Sequence, residues 1–293
     1  MSDVRTPAWR DVLVEQFRVL GLSMRAELVV LAVLMLALTI VSDPMTGNPI
    51  NFRPENDIIL AALAALLPFV VWRGRDQLEG GSFLTMPVEQ RMHALARVAA
   101  GWVWLLILVA LVVLWLASLV VASGGNFGNP GSTYFLLEGA QTGQLVARAA
   151  LREFEWVTPA WTWLIVVTGP TVAYLLSSAL NLSTRRPVRL VVGVVVGLLL
   201  LGLVTGEVAF DVLRFGLDPL LAHPWGLDTV FTGGSESLKT LVLVPDSTSR
   251  GETPVWSDVP TFGAYAGATL LWLAIATAAL WAATLRFRET ATK

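Results

Sequence analysis

The chain has no cysteine among its 293 residues, which excludes disulfides, thiolate zinc sites and iron–sulfur ligation. Charge is scarce too: Asp, Glu, Lys and Arg make up 14% of the sequence, where a soluble domain carries about a quarter. With a net charge of −2 there is no basic surface to attract a phosphate backbone, and no nucleic-acid partner is expected. A P-loop is missing. The nearest match, Gly233 through Thr240, has Leu238 where the phosphate-cradling loop needs its second glycine. No signal-peptide pattern opens the chain, whose first 25 residues are amphipathic.

Apolar residues fill the space that charge leaves. They make up 55% of the sequence, and the mean hydropathy is +0.67. That much apolar surface has no place in a water-soluble domain, and the bilayer is its natural solvent. The long apolar runs predict six transmembrane helices, at 26–43, 57–73, 98–122, 159–182, 188–208 and 263–285. Most reach the ~17–25 residues that cross a hydrocarbon core. The expected fold class is an all-α integral membrane protein, with residues 1–293 as one transmembrane domain.

Orientation follows from the basic residues. With the N-terminus inside, the inner segments hold fourteen Lys and Arg and the longer outer segments hold six. This is the positive-inside bias of a protein whose ends both lie in the cytoplasm, as expected for a bacterial cytoplasmic membrane. His93 and His223 then fall on opposite faces, which excludes a haem held between paired histidines within the bundle.

Three segments outside the spans have their own character. Residues 6–21 begin with Thr6 and Pro7, suited to a helix cap and first turn. They place Trp9, Val12, Leu13 and Leu20 on one face, which predicts an interfacial amphipathic helix. In the external segment after the third span, glycines, asparagines and Pro130 lead to an expected short helix near residues 141–156. The large external segment 209–261, between spans five and six, begins with Phe210, Val212, Leu213, Phe215 and Leu217. This apolar start suits a short helix dipping back into the outer leaflet.

No Asp, Glu, Lys, Arg or His lies near the centre of any expected span, so coupling to an ion gradient lacks its usual partner. No nucleophile with an acid–base partner lies in the spans either; no catalytic residue and no metal site are expected, and the chain is not read as an enzyme. Polar residues inside the spans concentrate in the fourth: Thr168, Thr171, Tyr174, Ser177, Ser178 and Asn181. Their ordinary role is hydrogen bonding between helices; the alternative is a substrate path. The pairs Gly193/Gly197 and Gly202/Gly206 in the fifth span are spaced for close helix packing, within the chain or between subunits.

The loop 73–97 is the longest on the inner face. Charged Arg73, Arg75, Asp76 and Glu79 precede Gly80-Gly81, then an apolar patch of Phe83, Leu84, Met86 and Val88, then Arg91 and Arg97. A solvated connector has little use for such a patch, whereas a charged rim around apolar residues suits docking.

This loop resembles that of the permease subunits of ABC transporters of the ABC-2 (type V) class. Those carry an acidic residue, a glycine, an apolar pair, a Leu-Pro-Val-Ser-Arg-like element, and a basic residue at the start of the third span. The matching residues are Glu79, Gly80 or Gly81, Phe83-Leu84, Met86-Pro87-Val88, Arg91 and Arg97. Glu89 departs from the usual small polar residue, and the arginine comes one place late. The resemblance also covers the plan of six spans, cytoplasmic ends and a large external segment between spans five and six.

It implies an export permease. Two such chains, identical or different, pair in the bilayer to form the substrate path. A separate ABC ATPase subunit binds the ATP, so the chain needs no cofactor of its own. The docking residues implied are Glu79, Phe83, Leu84, Met86, Pro87 and Arg91. The competing reading is a non-transporting anchor or scaffold subunit of a larger membrane complex.

Overall fold

A computed structural model describes residues 9–42, 49–54, 58–73, 90–128, 132–136, 152–156, 158–184, 187–189, 225–233, 238–245, 252–259 and 261–290. The described chain is mostly helical. Helices α1 (Trp9–Ser23), α2 (Arg25–Ser42), α3 (Ile58–Val71) and α4 (Gln90–Ser123) come first. A 3-10 turn, Ala160–Leu164, leads into α5 (Ile165–Ser183), followed by the short α6 (Leu227–Thr232) and then α7 (Phe262–Thr290).

Arg91–Ser123, Ala160–Ser183 and Phe262–Leu285 are long and apolar enough to cross a membrane, and α1 with α2 makes a fourth candidate if this pair, bent by 56°, is one span. The protein is therefore an integral membrane protein, with three or four candidate spans among the described residues, against the six expected of the whole chain. The second expected span, 57–73, contains a helix of only 14 residues, roughly 21 Å at 1.5 Å per residue and so shorter than the hydrocarbon core. The fifth, 188–208, lies outside the described residues except for 188 and 189.

The bundle is built on stripes with helical spacing. On α4, Ala94, Val98, Gly101, Leu105, Leu108 and Val112 are buried at alternating steps of four and three residues, and on α3 Leu60, Ala64, Leu67 and Val71 repeat the pattern. That spacing keeps a seam on one side of a helix. Helix α5 packs against α3 on one side and α7 on the other, and α4 touches all three. Helix α1 docks on α4: its buried face is Val12, Gln16 and Leu20, Phe17 stacks on Trp104 at 4.9 Å, and Trp104 Nε1 donates to the Phe17 carbonyl at 3.0 Å. Of the stripe expected for an interfacial helix, Trp9 remains 41% exposed while Val12 and Leu20 are buried.

At the Ser123 end of the bundle, the Ile50 N–H donates to Ser123 Oγ at 3.0 Å. The Phe52 N–H donates to the Asn126 carbonyl and the Gly128 N–H to the Phe52 carbonyl. Gly124 and Gly128 turn the chain here with φ of 68° and 75°, a conformation that costs glycine least.

The all-α expectation is corrected by one antiparallel sheet of four strands, β1 (Ser132–Leu136), β2 (Arg152–Trp156), β3 (Leu238–Pro245) and β4 (Glu252–Val259), in the order β2-β1-β3-β4. Two of its strands come from the segment between α4 and α5 and two from the segment before α7. The β1–β3 pairing, Tyr134 opposite Val242 and Leu136 opposite Thr240, joins them. The helix expected near 141–156 is contradicted at its end, where residues 152–156 are strand β2. The physical reason lies in pairing: Glu153-Phe-Glu-Trp156 alternates polar and apolar residues, and β1 supplies a register partner for each of the five residues from Arg152.

Candidate functional site

The loop singled out by the sequence is carried between the end of α3 and the start of α4. Glu79, Phe83, Leu84, Met86 and Pro87 lie outside the described residues, as do Gly193, Gly197, Gly202 and Gly206. Arg91 lies in the first turn of α4. What the structure places together is the base on which the loop stands.

Three arginines define this base, each reaching a different helix. The Arg97 Nε–H donates to the Val71 carbonyl at 2.8 Å. Val71 is the last residue of α3, where carbonyls have no partner within the helix and a cation is favoured by the helix dipole. The Arg97 guanidinium also lies 5.5 Å from the centre of the Trp72 ring, which is itself buried. Arg73, just past α3, pairs with Glu27 in the first turn of α2 at 2.6 Å. Arg91 places its guanidinium 3.8 Å from the centre of the Trp281 ring of α7, within the range of a cation–π contact. The two stems of the loop are thus tied to each other, and each is tied to another helix.

At Val98, the residue after Arg97, the bundle locks to α5. The Tyr174 hydroxyl, fully buried, donates to the Val98 carbonyl at 2.8 Å. Gly101 makes the approach possible, since a Cβ there would run into the Tyr174 hydroxyl. Along α5 three more polar side chains reach neighbouring helices, while the buried Ser178 hydroxyl reaches none. Thr168 bonds Tyr265 of α7 at 2.7 Å, Thr171 accepts from Trp102 of α4 at 3.2 Å, and Ser177 donates to the Ala65 carbonyl of α3 at 2.7 Å. Asn181 donates within its own helix to the Ser177 carbonyl. These contacts favour the ordinary reading of the fourth-span polar cluster, helix–helix hydrogen bonding, over a lined path.

Sequence reasoning named Arg97 as part of a motif but missed its bond to Val71, and it missed Tyr174 with Gly101 as a contact pair. A glycine in the middle of the α4 apolar stripe was the available signal; which side chain fills the notch is a tertiary matter. The P-loop lookalike ends in strand: Lys239 and Thr240 belong to β3 and pair with Asp258 and Ser257. Strand geometry sends successive N–H groups to opposite edges, so residues 238–240 do not themselves form a phosphate cradle. Among the described residues, no cluster of three or more His, Asp or Glu is placed to hold a metal ion.

In comparisons with protein-family models, curated proteins and solved structures, no match to the chain was found.

Proposed function

We propose that this chain is the membrane-spanning permease subunit of an ATP-driven ABC exporter, paired with a second permease chain and coupled to a separate ATPase subunit through residues 73–97. In this reading the Arg97 end of the bundle faces the cytoplasm, with both termini on that side. The observation that carries the reading is the Arg97–Val71 bond. A loop that transmits force must stand on stems that move together, and this bond ties the stem of α3 to the stem of α4. The Tyr174–Val98 bond passes any displacement of α4 on to α5. The motif running from Glu79 to Arg97 and the lack of an ionisable group at mid-span both point to a motor on another chain.

The test is purification of the intact assembly from native membranes. A nucleotide-hydrolysing subunit is expected to copurify, and Phe83→Asp or Leu84→Asp to release it while the variant chain stays membrane-inserted. An assembly without such a subunit would reject the reading.

The scaffold alternative draws on one observation: Thr168, Thr171, Tyr174 and Ser177 all bond neighbouring helices, which leaves few polar groups for a substrate. A stable partner lacking any nucleotide site would decide for it.

A further inference from the structure

Arg91 is a cation without a counter-charge. It lies in the first turn of α4, and its guanidinium rests against α7, 3.8 Å from the centre of the Trp281 ring. Among the described residues the guanidinium has no hydrogen bond and no ion pair, and its Nε and Nη2 atoms are buried without an acceptor. The helices around it cannot supply an anion. Helices α4 and α5 contain no Asp or Glu. The one acid of α7, Glu289, comes eight residues after Trp281, roughly 12 Å along the helix. A cation partly withdrawn from water and left unpaired is costly, and the positive end of the α4 dipole adds to that cost.

The position of the pair says where an anion can come from. At the far end of α7, Trp161 stacks on Tyr265 at 5.2 Å and meets Phe262 edge-on at 5.8 Å. Trp281 comes nineteen residues after Phe262, roughly 29 Å at 1.5 Å per residue. That is about the thickness of the hydrocarbon core, and aromatic side chains gather at its two boundaries. Trp281 also keeps 54% of its surface exposed. The stack therefore borders lipid at the level of the headgroups, at the end of the bundle that carries residues 73–97.

We infer that Arg91 and Trp281 form a binding site for the phosphate of an anionic phospholipid headgroup. The guanidinium edge of Nε and one Nη matches two phosphate oxygens, and these are the atoms left without an acceptor. Only the ring contact restrains the side chain, so a modest rotation over Trp281 turns that edge toward the headgroup. The indole suits the site as well, since its apolar body lies in lipid while its face holds the cation. Bound lipid then fixes the first turn of α4 at the membrane surface. This assigns Arg91 to the bilayer rather than to the docking surface that the sequence resemblance implies.

Native mass spectrometry of the full chain, released from micelles doped with phosphatidylglycerol, tests the site. Arg91→Gln should weaken the first phosphatidylglycerol adduct about fivefold or more. Trp281→Leu should also weaken it, and Arg91→Lys should fall between, since lysine keeps the charge without the fork. If Arg91→Gln does not fold, these two variants carry the test. Arg18→Gln, at an exposed position of α1, should change nothing. Phosphatidylcholine should bind more weakly, and inorganic phosphate should leave the adduct in place. Equal adducts in wild type and Arg91→Gln would overturn the proposal. An equal loss in Arg18→Gln would do so too, as the mark of general charge attraction, and so would displacement of the lipid by inorganic phosphate, which assigns the site to a free ion. A several-fold tightening in Glu89→Gln would make that neighbour, two places before Arg91, the resident anion and reject the lipid. No ATPase enters the experiment, so its failure leaves the transport reading standing.

Discussion

Tyr174 and Val98 are joined by a buried hydrogen bond, hydroxyl to main-chain carbonyl, at 2.8 Å across the notch of Gly101. It fastens α5 to α4, which the Trp102–Thr171 bond also joins. Gly101→Ala should push the new methyl into the Tyr174 hydroxyl and cost about 1–3 kcal/mol, as overpacking does. Tyr174→Phe should cost about 0.5–1.5 kcal/mol, because one hydrogen bond is lost from an otherwise unchanged site. The double variant should lose less than the sum, since phenylalanine removes the atom that the methyl strikes. Thermal unfolding in detergent, followed by tryptophan fluorescence, checks all three; strict additivity would show that the two residues do not share a contact.

Arg97→Lys tests the stem of the loop. Lysine keeps the charge but lacks the planar fork that donates to Val71 while lying over Trp72. Under the proposed transport reading, the variant is expected to remain assembled with the proposed ATPase subunit while substrate no longer stimulates hydrolysis. The measurement is ATP turnover of the reconstituted complex with and without substrate. Full stimulation in Arg97→Lys would mean that the Arg97–Val71 tie transmits nothing.

Arg73 and Glu27 form a close pair, but the Arg73 side chain is 73% exposed. Exposed pairs are worth little, about 0–1 kcal/mol. Glu27→Gln should therefore shift the melting temperature hardly at all. A loss of several degrees would show that this pair secures α2 to the base.

Trp115 Nε1 donates to Thr39 Oγ1 at 2.9 Å, linking α4 to α2. The exposed side chains of α2 include Val29, Val30, Val33, Ile40 and Val41. Thr39→Val should weaken this attachment by about 0.6 kcal/mol, the typical worth of such a bond within a membrane. Limited proteolysis around residues 43–48 provides the readout, with faster cleavage expected.

Lys239 should have no part in nucleotide binding. The isolated chain is expected not to take up a photoreactive ATP analogue, and Lys239→Ala to change nothing, because β3 holds Lys239 opposite Asp258 in a ladder. Labelling that Lys239→Ala abolishes would contradict this.

Much of the helical frame was legible in the residues. Apolar runs near 98–122, 159–182 and 263–285 needed only their length and lack of charge to be read as membrane helices, because the bilayer leaves a chain few other ways to satisfy its backbone. The polar side chains of α5 were visible as a set, although not their partners. The sheet was harder to see. Its four strands are five to eight residues long and lie in two separate segments, so no local pattern announces that Tyr134 will face Val242.

The sequence by itself determined that this is a membrane protein with helices of helical-period stripes, because hydropathy and spacing act locally along the chain. Only the tertiary structure decided what each notch and cation would meet: Gly101 receives Tyr174, Gly267 receives Trp225, and Arg97 reaches Val71. Each of these is a contact between residues far apart in the chain, and its geometry exists only once separate helices have packed.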